Sequence, residues 1–340
     1  MKSKLESWII ELRAPFLTAT FVSILLGTVI AWVRNDTFNV GYFLLAMLGG
    51  IFLHLGANVS NDYFDHKSGN DEANKEFVRP FSGGSRAIQL GLLSPREVLA
   101  GALLFYAAAI LIGVYFTLAV GPIILVLGLV GVVSGFFYTA PSLNWAGKGI
   151  GEILVGVNFG ALMTLGAYYV QTGMLNTEPL AASIPVCLLI AAILYINEFP
   201  DYVADKAVGK KTLVVRLGRA KAVYGYAAIV VGSYVFVMLN SVLGITPPQV
   251  LFALVPLPLA LKAVRHAFRF HSEPHKLALA NALNIVFHLL TSLLLSLGYL
   301  LSRFEVPSLA FFFVVTIVGV CVLATVHFFL KSRNPPNLSI

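Results

Sequence analysis

Residues 41–67 read GYFLLAMLGGIFLHLGANVSNDYFDHK, an apolar run that ends in asparagines, aspartates and basic residues. A helix needs about 20 apolar residues to cross the roughly 30 Å hydrocarbon layer of a bilayer, and this run is long enough. The rest of the chain has the same character, because 58% of its 340 residues are hydrophobic, only 11% are charged and the mean hydropathy is +0.85. Soluble globular domains do not have this composition. The sequence therefore predicts a multi-pass integral membrane protein.

Ten windows of the sequence are apolar and long enough to span a membrane. They cover residues 14–33, 41–60, 97–118, 121–140, 150–171, 179–199, 221–243, 249–264, 278–301 and 308–330. Backbone groups in lipid must be hydrogen-bonded within the protein, and these windows are continuously apolar rather than alternating, which favours helices over the strands of a barrel. The predicted fold is all-α, a polytopic bundle of about nine to ten transmembrane helices around a central cavity.

The basic residues are distributed very unevenly between the two sides of such a bundle. If ten helices cross and the N-terminus is cytoplasmic, all but Arg34 and Arg303 of the 23 lysines and arginines lie on one side. The positive-inside rule identifies that side as the cytoplasm. The basic residues on the cytoplasmic side thus account for the net charge of +7, and no nucleic-acid partner is expected. We expect a protein of the cell membrane (inner or plasma membrane) with its polar motifs, and hence its active site, facing the cytoplasm.

One polar pattern, Asn-x-x-x-Asp, occurs twice, each time where an apolar run ends in a basic loop. The first copy runs from Asn61 to Asp65 and the second from Asn197 to Asp201, while Asp205 follows the second copy after four more residues. The constant offset between the copies suggests two related helical halves with a cavity between them. Chance recurrence of a short pattern is the alternative.

The two copies have the residue types of a site for a metal and an anion. Residues four apart share one face of a helix, so each copy forms a row of oxygen ligands. A charge at the membrane costs up to about 2.5 to 3.5 kcal/mol, so a cation is expected to compensate these acids. Mg²⁺ is usually bound by one or two carboxylates together with phosphate oxygens of a substrate. Basic residues beside both copies would bind the remaining phosphate charge: Lys75, Arg79, Arg86, Lys206, Lys210 and Lys211.

The pattern thus predicts a diphosphate site. The alternative is that these acids and bases merely neutralise one another at the level of the lipid headgroups.

Two further polar residues lie within apolar windows. His54 shares a helical row with Asn58 and Asp62, and Glu152 lies near the start of the fifth window. Both are candidates for the site. The alternatives are a buried histidine that a neighbouring helix satisfies, and an acid that the dipole of a helix N-terminus favours.

The motifs resemble those of the UbiA superfamily of intramembrane prenyltransferases. The resemblance rests on Asn61-Asp62-x-x-Asp65 with Asp71 downstream, on Asp201-x-x-x-Asp205, and on the following segment 209–218. Segments 137–141, 149–152 and 168–173 are similar to the MenA branch, the 1,4-dihydroxy-2-naphthoate prenyltransferases of menaquinone synthesis. The likeness extends over most of the chain.

The resemblance implies an enzyme that transfers a polyprenyl group from polyprenyl diphosphate to an aromatic acceptor, with 1,4-dihydroxy-2-naphthoate expected as acceptor and Mg²⁺ as cofactor. It implies that Asn61, Asn197 and Glu152 act in catalysis with Asp65 and Asp201. The expected metal ligands are Asp62, Asp65, Asp71, Asp201 and Asp205. Phe137, Tyr138 and His54 are expected to line the pocket for the prenyl cation and the aromatic ring.

Several features depart from the family pattern. Many members carry a third acid four residues after the position of Asp65, where this chain has Gly69 and places its acid at Asp71. The segment from Arg79 to Arg86 is also unusual for the MenA branch. The window 308–330 adds a helix to the usual nine, so we divide the chain into a prenyltransferase domain, residues 1–305, and an additional C-terminal helix with a basic tail, residues 306–340.

These departures keep alternative functions open. Within the superfamily, the acceptor alternatives are 4-hydroxybenzoate, a homogentisate or chlorophyll-type ring, and a glycerol-phosphate lipid. From other classes, a cation-coupled secondary transporter would use similar repeats and polar residues near the middle of the membrane. A noncatalytic membrane scaffold would account for the hydrophobicity, but not for the paired motifs.

Overall fold

A computed structural model describes residues 3–304, and all regular secondary structure in that range is helical. Eight of its helices are long and apolar enough to cross a membrane: Ala14–Asn35, Val40–Lys67, Pro95–Ala119, Gly151–Thr172, Thr177–Ala207, Arg219–Val242, Pro248–Phe270 and Pro274–Arg303. A shorter apolar helix, Ile123–Phe136, lies at the fourth predicted window. The all-α multi-pass prediction is confirmed. The window 308–330 and the rest of segment 306–340 lie outside the described residues.

The helices are numbered in chain order. They are α1 (Lys4–Glu11), α2 (Thr18–Asn35), α3 (Val40–Lys67), α4 (Asn70–Ala73), α5 (Pro95–Ala119), α6 (Ile123–Phe136), α7 (Gly151–Gly156), α8 (Met163–Thr172), α9 (Thr177–Ala207), α10 (Leu213–Leu217), α11 (Arg219–Val242), α12 (Leu257–Phe270) and α13 (Pro274–Arg303). A π-helical segment, Val157–Leu162, joins α7 to α8. Short 3₁₀ turns at Ala14–Leu17 and Pro248–Leu254 precede α2 and α12.

Capping residues set the start of helices at the polar end of the bundle. Ser94 accepts a hydrogen bond from the backbone N–H of Glu97, the Glu97 carboxylate accepts one from the N–H of Ser94, and Pro95 occupies the first turn of α5. This reciprocal arrangement satisfies donors that a helix start leaves free. Ser3 and Glu6 form the same arrangement at α1. Helix α1 is therefore a defined element that precedes the first span.

Helix α9 is central to the packing of the bundle. Its buried face contributes Leu189 and Phe199 to a core shared with α11, α12 and α13, and Val186 and Ile190 to a second core shared with α2, α8 and α13. Small residues allow neighbouring helices to approach closely, as is usual in membranes. At Gly27 on α2, an added Cβ would lie 2.1 Å from a backbone carbonyl oxygen of α8. The position of α9 matters because it carries the second acidic motif.

Both acidic motifs lie at the same end of the bundle. The first motif occupies the last turns of α3 and the second the last turns of α9, and the long connection 68–94 and the short connection 208–212 follow them. At the opposite end, Arg34 pairs with Glu178 at 2.7 Å and Arg303 contacts Asp36 at 2.5 Å. The two basic residues that the charge distribution assigned to the outer side are therefore neutralised locally.

Candidate functional site

The two acidic motifs meet across the bundle at a single lysine. Lys210 Nζ lies 3.2 and 3.1 Å from the two carboxylate oxygens of Asp65 and 3.8 Å from Asp205 Oδ1. Asn61 donates a hydrogen bond of 3.1 Å to Asp65, as the helical spacing of the first motif predicts. Burial by itself lowers the pKa of Lys210, but the two carboxylates raise it well above its ordinary value. The lysine is therefore a cation that joins α3 to the end of α9.

The segment after the first motif binds the second motif directly. Asn70 donates a hydrogen bond of 2.7 Å to Asp205, and Asn74 donates one of 2.6 Å to Asp201. The backbone N–H of Gly83 lies 3.3 Å from the other oxygen of Asp201. Hydrogen bonds to a carboxylate stabilise its charged form and fix its orientation. The connection 68–94 thus forms one wall of the site.

Asp62 is turned away from its neighbours in the first motif. It accepts a hydrogen bond of 2.8 Å from the backbone N–H of Ser85, and its Oδ1 lies 3.8 Å from Arg13. A Cβ at Gly84, where φ is +67°, would come within 2.9 Å of the same carboxylate. Asp62 is 3% exposed and does not border the cavity described below, whereas Asp65 does. Asp62 therefore anchors the connection 68–94, the wall segment of the site, to α3.

Asp71 lies in the short helix α4 and borders the cavity. Gln89 donates a hydrogen bond of 3.1 Å to its carboxyl, and Arg86 donates to its backbone carbonyl. Burial raises the pKa of Asp71 to about 9, and the nearby charges of Asp65 and Asp62 act in the same direction.

A cavity of about 480 Å³ begins at these acids and runs into the membrane-spanning part of the bundle. Asp65, Asp201 and Asp205 border its polar end with Lys210. Apolar residues and glycines of α3, α5, α6 and α8 border the remainder, among them Gly113 and Gly128, where an added Cβ would meet no atom within 4 Å. Several lining residues of α5 and α6 are also among the exposed apolar side chains: Ile110, Val114, Leu125 and Leu129. The cavity therefore extends sideways toward the lipid-facing surface.

A small polar group interrupts the apolar wall of the cavity. The His54 ring lies 2.8 Å from the Thr20 hydroxyl and 4.2 Å, between ring centroids, from Phe159. Asn158 accepts a hydrogen bond of 2.9 Å from Ser134. Both Asn158 and Phe159 belong to the π-helical segment, and such segments frequently occur at functional sites. The Asn58 amide nitrogen is buried without a hydrogen-bond partner in the described part of the chain, and Asn58 borders the cavity.

Asn197 is oriented by a residue of α13. Because Pro200 lacks an N–H, it leaves the carbonyl of Ile196 without its helical partner. Asn281 donates one hydrogen bond of 3.3 Å to this carbonyl and another of 2.7 Å to Asn197 Oδ1. The second motif therefore depends on α13 as well as on the connection 68–94.

Glu152 and Glu198 are two buried acids beside the second motif. Glu152 accepts a hydrogen bond of 2.9 Å from the backbone N–H of Leu213 and does not border the cavity. Glu198 borders the cavity, as does Tyr138, and it was not among the residues that the sequence singled out. The carboxyls of Glu152 and Glu198 interact electrostatically. Glu152 is thus linked to the cavity through Glu198 and does not border it.

The remaining predicted residues lie around the site rather than in it. Of the six predicted basic residues, Lys210 alone borders this cavity. Arg86 and Arg79 belong to the wall segment and face the ring of Phe77. Exposed side chains at the same end of the bundle belong to Lys75, Lys206 and Lys211. Phe137 packs against the rings of Phe136 and Trp145 behind Tyr138.

Sequence reasoning missed several residues that border the cavity or hold its acids: Arg13, Asn70, Asn74, Asn281, Glu198 and Asn158. A signal existed for Asn281 and Glu198, because amides and acids inside apolar windows are costly unless they have partners. The contacts of Asn70 and Asn74 depend on how a long connection folds back, which no periodic pattern reports.

The site has the donor chemistry of Mg²⁺ without a preformed cage. Within the described residues, no group of three or more His, Cys, Asp or Glu side chains is placed to hold a metal ion as it stands. The available donors at the polar end of the cavity are carboxylate and amide oxygens, which suit Mg²⁺. A cationic ammonium already lies between the two motifs. The residues therefore fit a hard divalent cation that arrives with further oxygen ligands.

The matches to known proteins extend over the helices that enclose the cavity. A family model described as the UbiA prenyltransferase family matches residues 20–283. The chain is 31% identical over 295 residues to the 1,4-dihydroxy-2-naphthoate octaprenyltransferase of Bacillus subtilis (strain 168), a match that covers 86% of this chain and 92% of that protein. It is 29% identical over 307 residues to the protein of the same name from Escherichia coli (strain K12), with 88% and 97% covered.

The fold is also similar to a solved structure of a UbiA homolog from Archaeoglobus fulgidus bound to DMAPP and Mg²⁺. The TM-score is 0.55 at 15% identity, and the match covers 85% of this chain and 99% of that one. At this identity the likeness concerns the fold.

Proposed function

The chain belongs to the UbiA prenyltransferase family, and on this premise we propose that it transfers a polyprenyl group from polyprenyl diphosphate to 1,4-dihydroxy-2-naphthoate in menaquinone biosynthesis, with Mg²⁺ bound to the diphosphate. One observation carries the proposal: a single cavity has carboxylates and a lysine at one end and apolar walls that continue to the lipid-facing surface. A polyprenyl diphosphate has the same division into a charged head and an apolar chain. A transporter would instead place its charged residues near the middle of the membrane, whereas these acids occupy helix ends.

The diphosphate would lie at the polar end of the cavity. Asp65, Asp71, Asp201 and Asp205 border that end and would hold Mg²⁺ through oxygen ligands. When bound, Mg²⁺ supplies Lewis-acid stabilisation of the charge that develops on the departing diphosphate. Lys210 and Arg13 border the same end and provide cationic donors for the phosphate oxygens.

The prenyl chain would occupy the apolar part of the cavity. Gly113 and Gly128 leave room beside α5 and α6, and Leu125 and Leu129 border the cavity and are exposed. A chain longer than the cavity would therefore continue into the lipid. This arrangement keeps the reacting carbon out of water, which protects an allylic cation from hydrolysis.

The aromatic ring would lie between the diphosphate and the polar group of His54, Asn58 and Asn158. These side chains supply hydrogen-bond donors and acceptors for two ring hydroxyls, and Phe159 and Tyr138 provide aromatic surface. The bond from the first prenyl carbon to the diphosphate oxygen breaks, and its electron pair leaves with the diphosphate. The ring carbon that bears the carboxylate then forms a bond to the prenyl carbon. The carboxylate departs as CO₂ and returns its electron pair to the ring.

The acceptor is inferred from the relatives. The proteins from B. subtilis and E. coli carry the name of the naphthoate enzyme, and the matches to them cover most of both chains. Placement in the cell membrane with the site facing the cytoplasm rests on the distribution of basic residues, which favours the motif end as the inner side.

The test is a comparison of acceptors with the purified protein. With Mg²⁺ and octaprenyl diphosphate, 1,4-dihydroxy-2-naphthoate should give a prenylated, decarboxylated product identified by its mass. The comparison acceptors are 4-hydroxybenzoate, homogentisate and a glycerol-phosphate lipid. A product from one of these in place of the naphthoate would overturn the acceptor, and no product with any of them would overturn the proposed activity.

A further inference from the structure

We propose that Lys210 is a resident counter-ion of the two acidic motifs, and that its ammonium leaves this position for the diphosphate when a divalent cation binds between them. The inference deepens the proposed function, on which it rests, by assigning a switch to the same site. It follows from where the ammonium lies and from what the space between the motifs can hold.

The ammonium occupies the position where the two motifs come closest. Its nitrogen lies 3.1 Å from an oxygen of Asp65 on α3 and 3.8 Å from an oxygen of Asp205 on α9. The two oxygens can therefore be no further apart than the sum of these distances. Since Mg²⁺ binds oxygen at about 2.0 to 2.1 Å, an ion shared by Asp65 and Asp205 would need the gap that the ammonium now fills. The ammonium and a shared metal ion exclude each other.

The backbone after α9 directs Lys210 into the cavity. Gly209 has a φ of +75°, which favours glycine, and the chain reverses there. The N–H of Lys210 donates a hydrogen bond of 2.8 Å to the carbonyl of Asp205, and the N–H of Lys211 donates one of 3.2 Å to the carbonyl of Gly147. These hydrogen bonds hold the backbone of the loop, whereas the four-carbon side chain of the lysine is flexible. The ammonium can therefore change partners without movement of the backbone.

The charge balance makes the exchange easier when the donor is present, so that a divalent cation alone exchanges with the ammonium only at saturating concentration. In the free protein, the ammonium compensates carboxylates that would otherwise repel each other across a partly buried gap, since the side chains of Lys210 and Asp65 are each 16% exposed. A divalent cation alone must displace this ammonium and leave it without an anion. A cation that arrives with a diphosphate brings phosphate oxygens that accept the displaced ammonium. Lys210 thus couples metal binding to donor binding.

Metal affinity in the absence of donor tests this coupling. Mn²⁺ titrations of the purified full-length protein, followed by the electron paramagnetic resonance of free Mn²⁺, would compare wild type with Lys210→Met. The variant should bind Mn²⁺ at least about tenfold more tightly, because the competing ammonium is gone. Lys221→Met is the matched control, because Lys221 is an exposed lysine at the start of α11, and its affinity should equal that of wild type. Equal or weaker binding by Lys210→Met would overturn the proposal.

A second measurement needs no variant and decides the question if Lys210→Met does not fold. Amine-reactive labelling of wild type, read by mass spectrometry, should increase at Lys210 when saturating Mg²⁺ replaces EDTA, while labelling of Lys221 stays constant. Unchanged labelling of Lys210 would overturn the exchange. Product formation by the same wild-type sample separates the two hypotheses. Prenyl transfer without exchange refutes only the role of Lys210, and exchange without prenyl transfer refutes only the proposed activity.

Discussion

Asn70 donates a hydrogen bond of 2.7 Å to Asp205, so a residue just after the first acidic motif holds an acid of the second. Asn74, one turn further along, does the same for Asp201 at 2.6 Å. The two motifs are therefore linked by side-chain amides as well as by Lys210. The connection 68–94 is part of the site because its amides orient the carboxylates of the opposite helix.

We expect Asn70→Ala to weaken catalysis through the second motif. The substitution leaves Asp205 without its amide partner, and a buried carboxylate that loses a hydrogen bond changes both orientation and charge preference. Turnover should fall about tenfold or more, and the Mg²⁺ concentration for half-maximal rate should rise. Steady-state rates over a Mg²⁺ series measure both. An unchanged Mg²⁺ requirement would contradict the role of this contact.

Removing one charge from either motif is expected to have a larger effect. Asp65→Asn and Asp201→Asn should each lower the rate of prenyl transfer by roughly 10²- to 10³-fold. Each substitution removes a charged ligand of the Mg²⁺ that would stabilise the negative charge on the departing diphosphate. Asp36→Asn is the control, since Asp36 is 80% exposed at the opposite end of the bundle. Its rate should match wild type. Activity in Asp65→Asn close to that of the control would refute the assignment of the motif.

Filling the apolar end of the cavity should discriminate between donors by length. Gly128→Phe places a ring where a Cβ meets no atom within 4 Å, so the helix tolerates it and the cavity is shortened. Turnover with octaprenyl diphosphate should fall about tenfold or more relative to geranyl diphosphate. The matched control is Val126→Phe on the same helix, because Val126 is exposed and does not border the cavity. Equal losses for both donor lengths would argue against this path for the chain.

The stability of the polar end should depend on pH through Glu11, which accepts a hydrogen bond from Ser85. Burial raises the pKa of Glu11 to about 8, and the charge of Asp62 adds to this effect. The folded state then holds a proton that the unfolded state loses above its ordinary pKa of 4.5, so stability falls as pH rises from about 4.5 to 8.

Glu11→Gln is expected to remove this dependence, because glutamine is neutral at every pH. In thermal unfolding at pH 5 to 9, the melting temperature of the variant should exceed that of wild type by a few degrees near pH 8, and the two should converge near pH 5. Parallel curves for the two proteins would show that Glu11 is not protonated in the folded state.

The sequence was sufficient for the architecture and for the chemical type of the site. Apolar runs report transmembrane helices directly, and the spacing of Asn61 and Asp65 gave their shared helical face, which the hydrogen bond between them reflects. The same spacing could not say that Asp62 turns toward Ser85, because the direction of a helical row depends on how the helix packs. The contacts of Asn281 with α9 and the π-helical placement of Asn158 likewise arise from tertiary packing, which has no local signal.

The proposed reaction is tested by its stoichiometry, measured with the purified protein, octaprenyl diphosphate and 1,4-dihydroxy-2-naphthoate labelled in its carboxylate. One diphosphate and one labelled CO₂ should be released per prenylated product, and no turnover should occur when EDTA exceeds Mg²⁺. Turnover that persists in excess chelator, or prenyl transfer with the labelled carboxylate retained in the product, would contradict it.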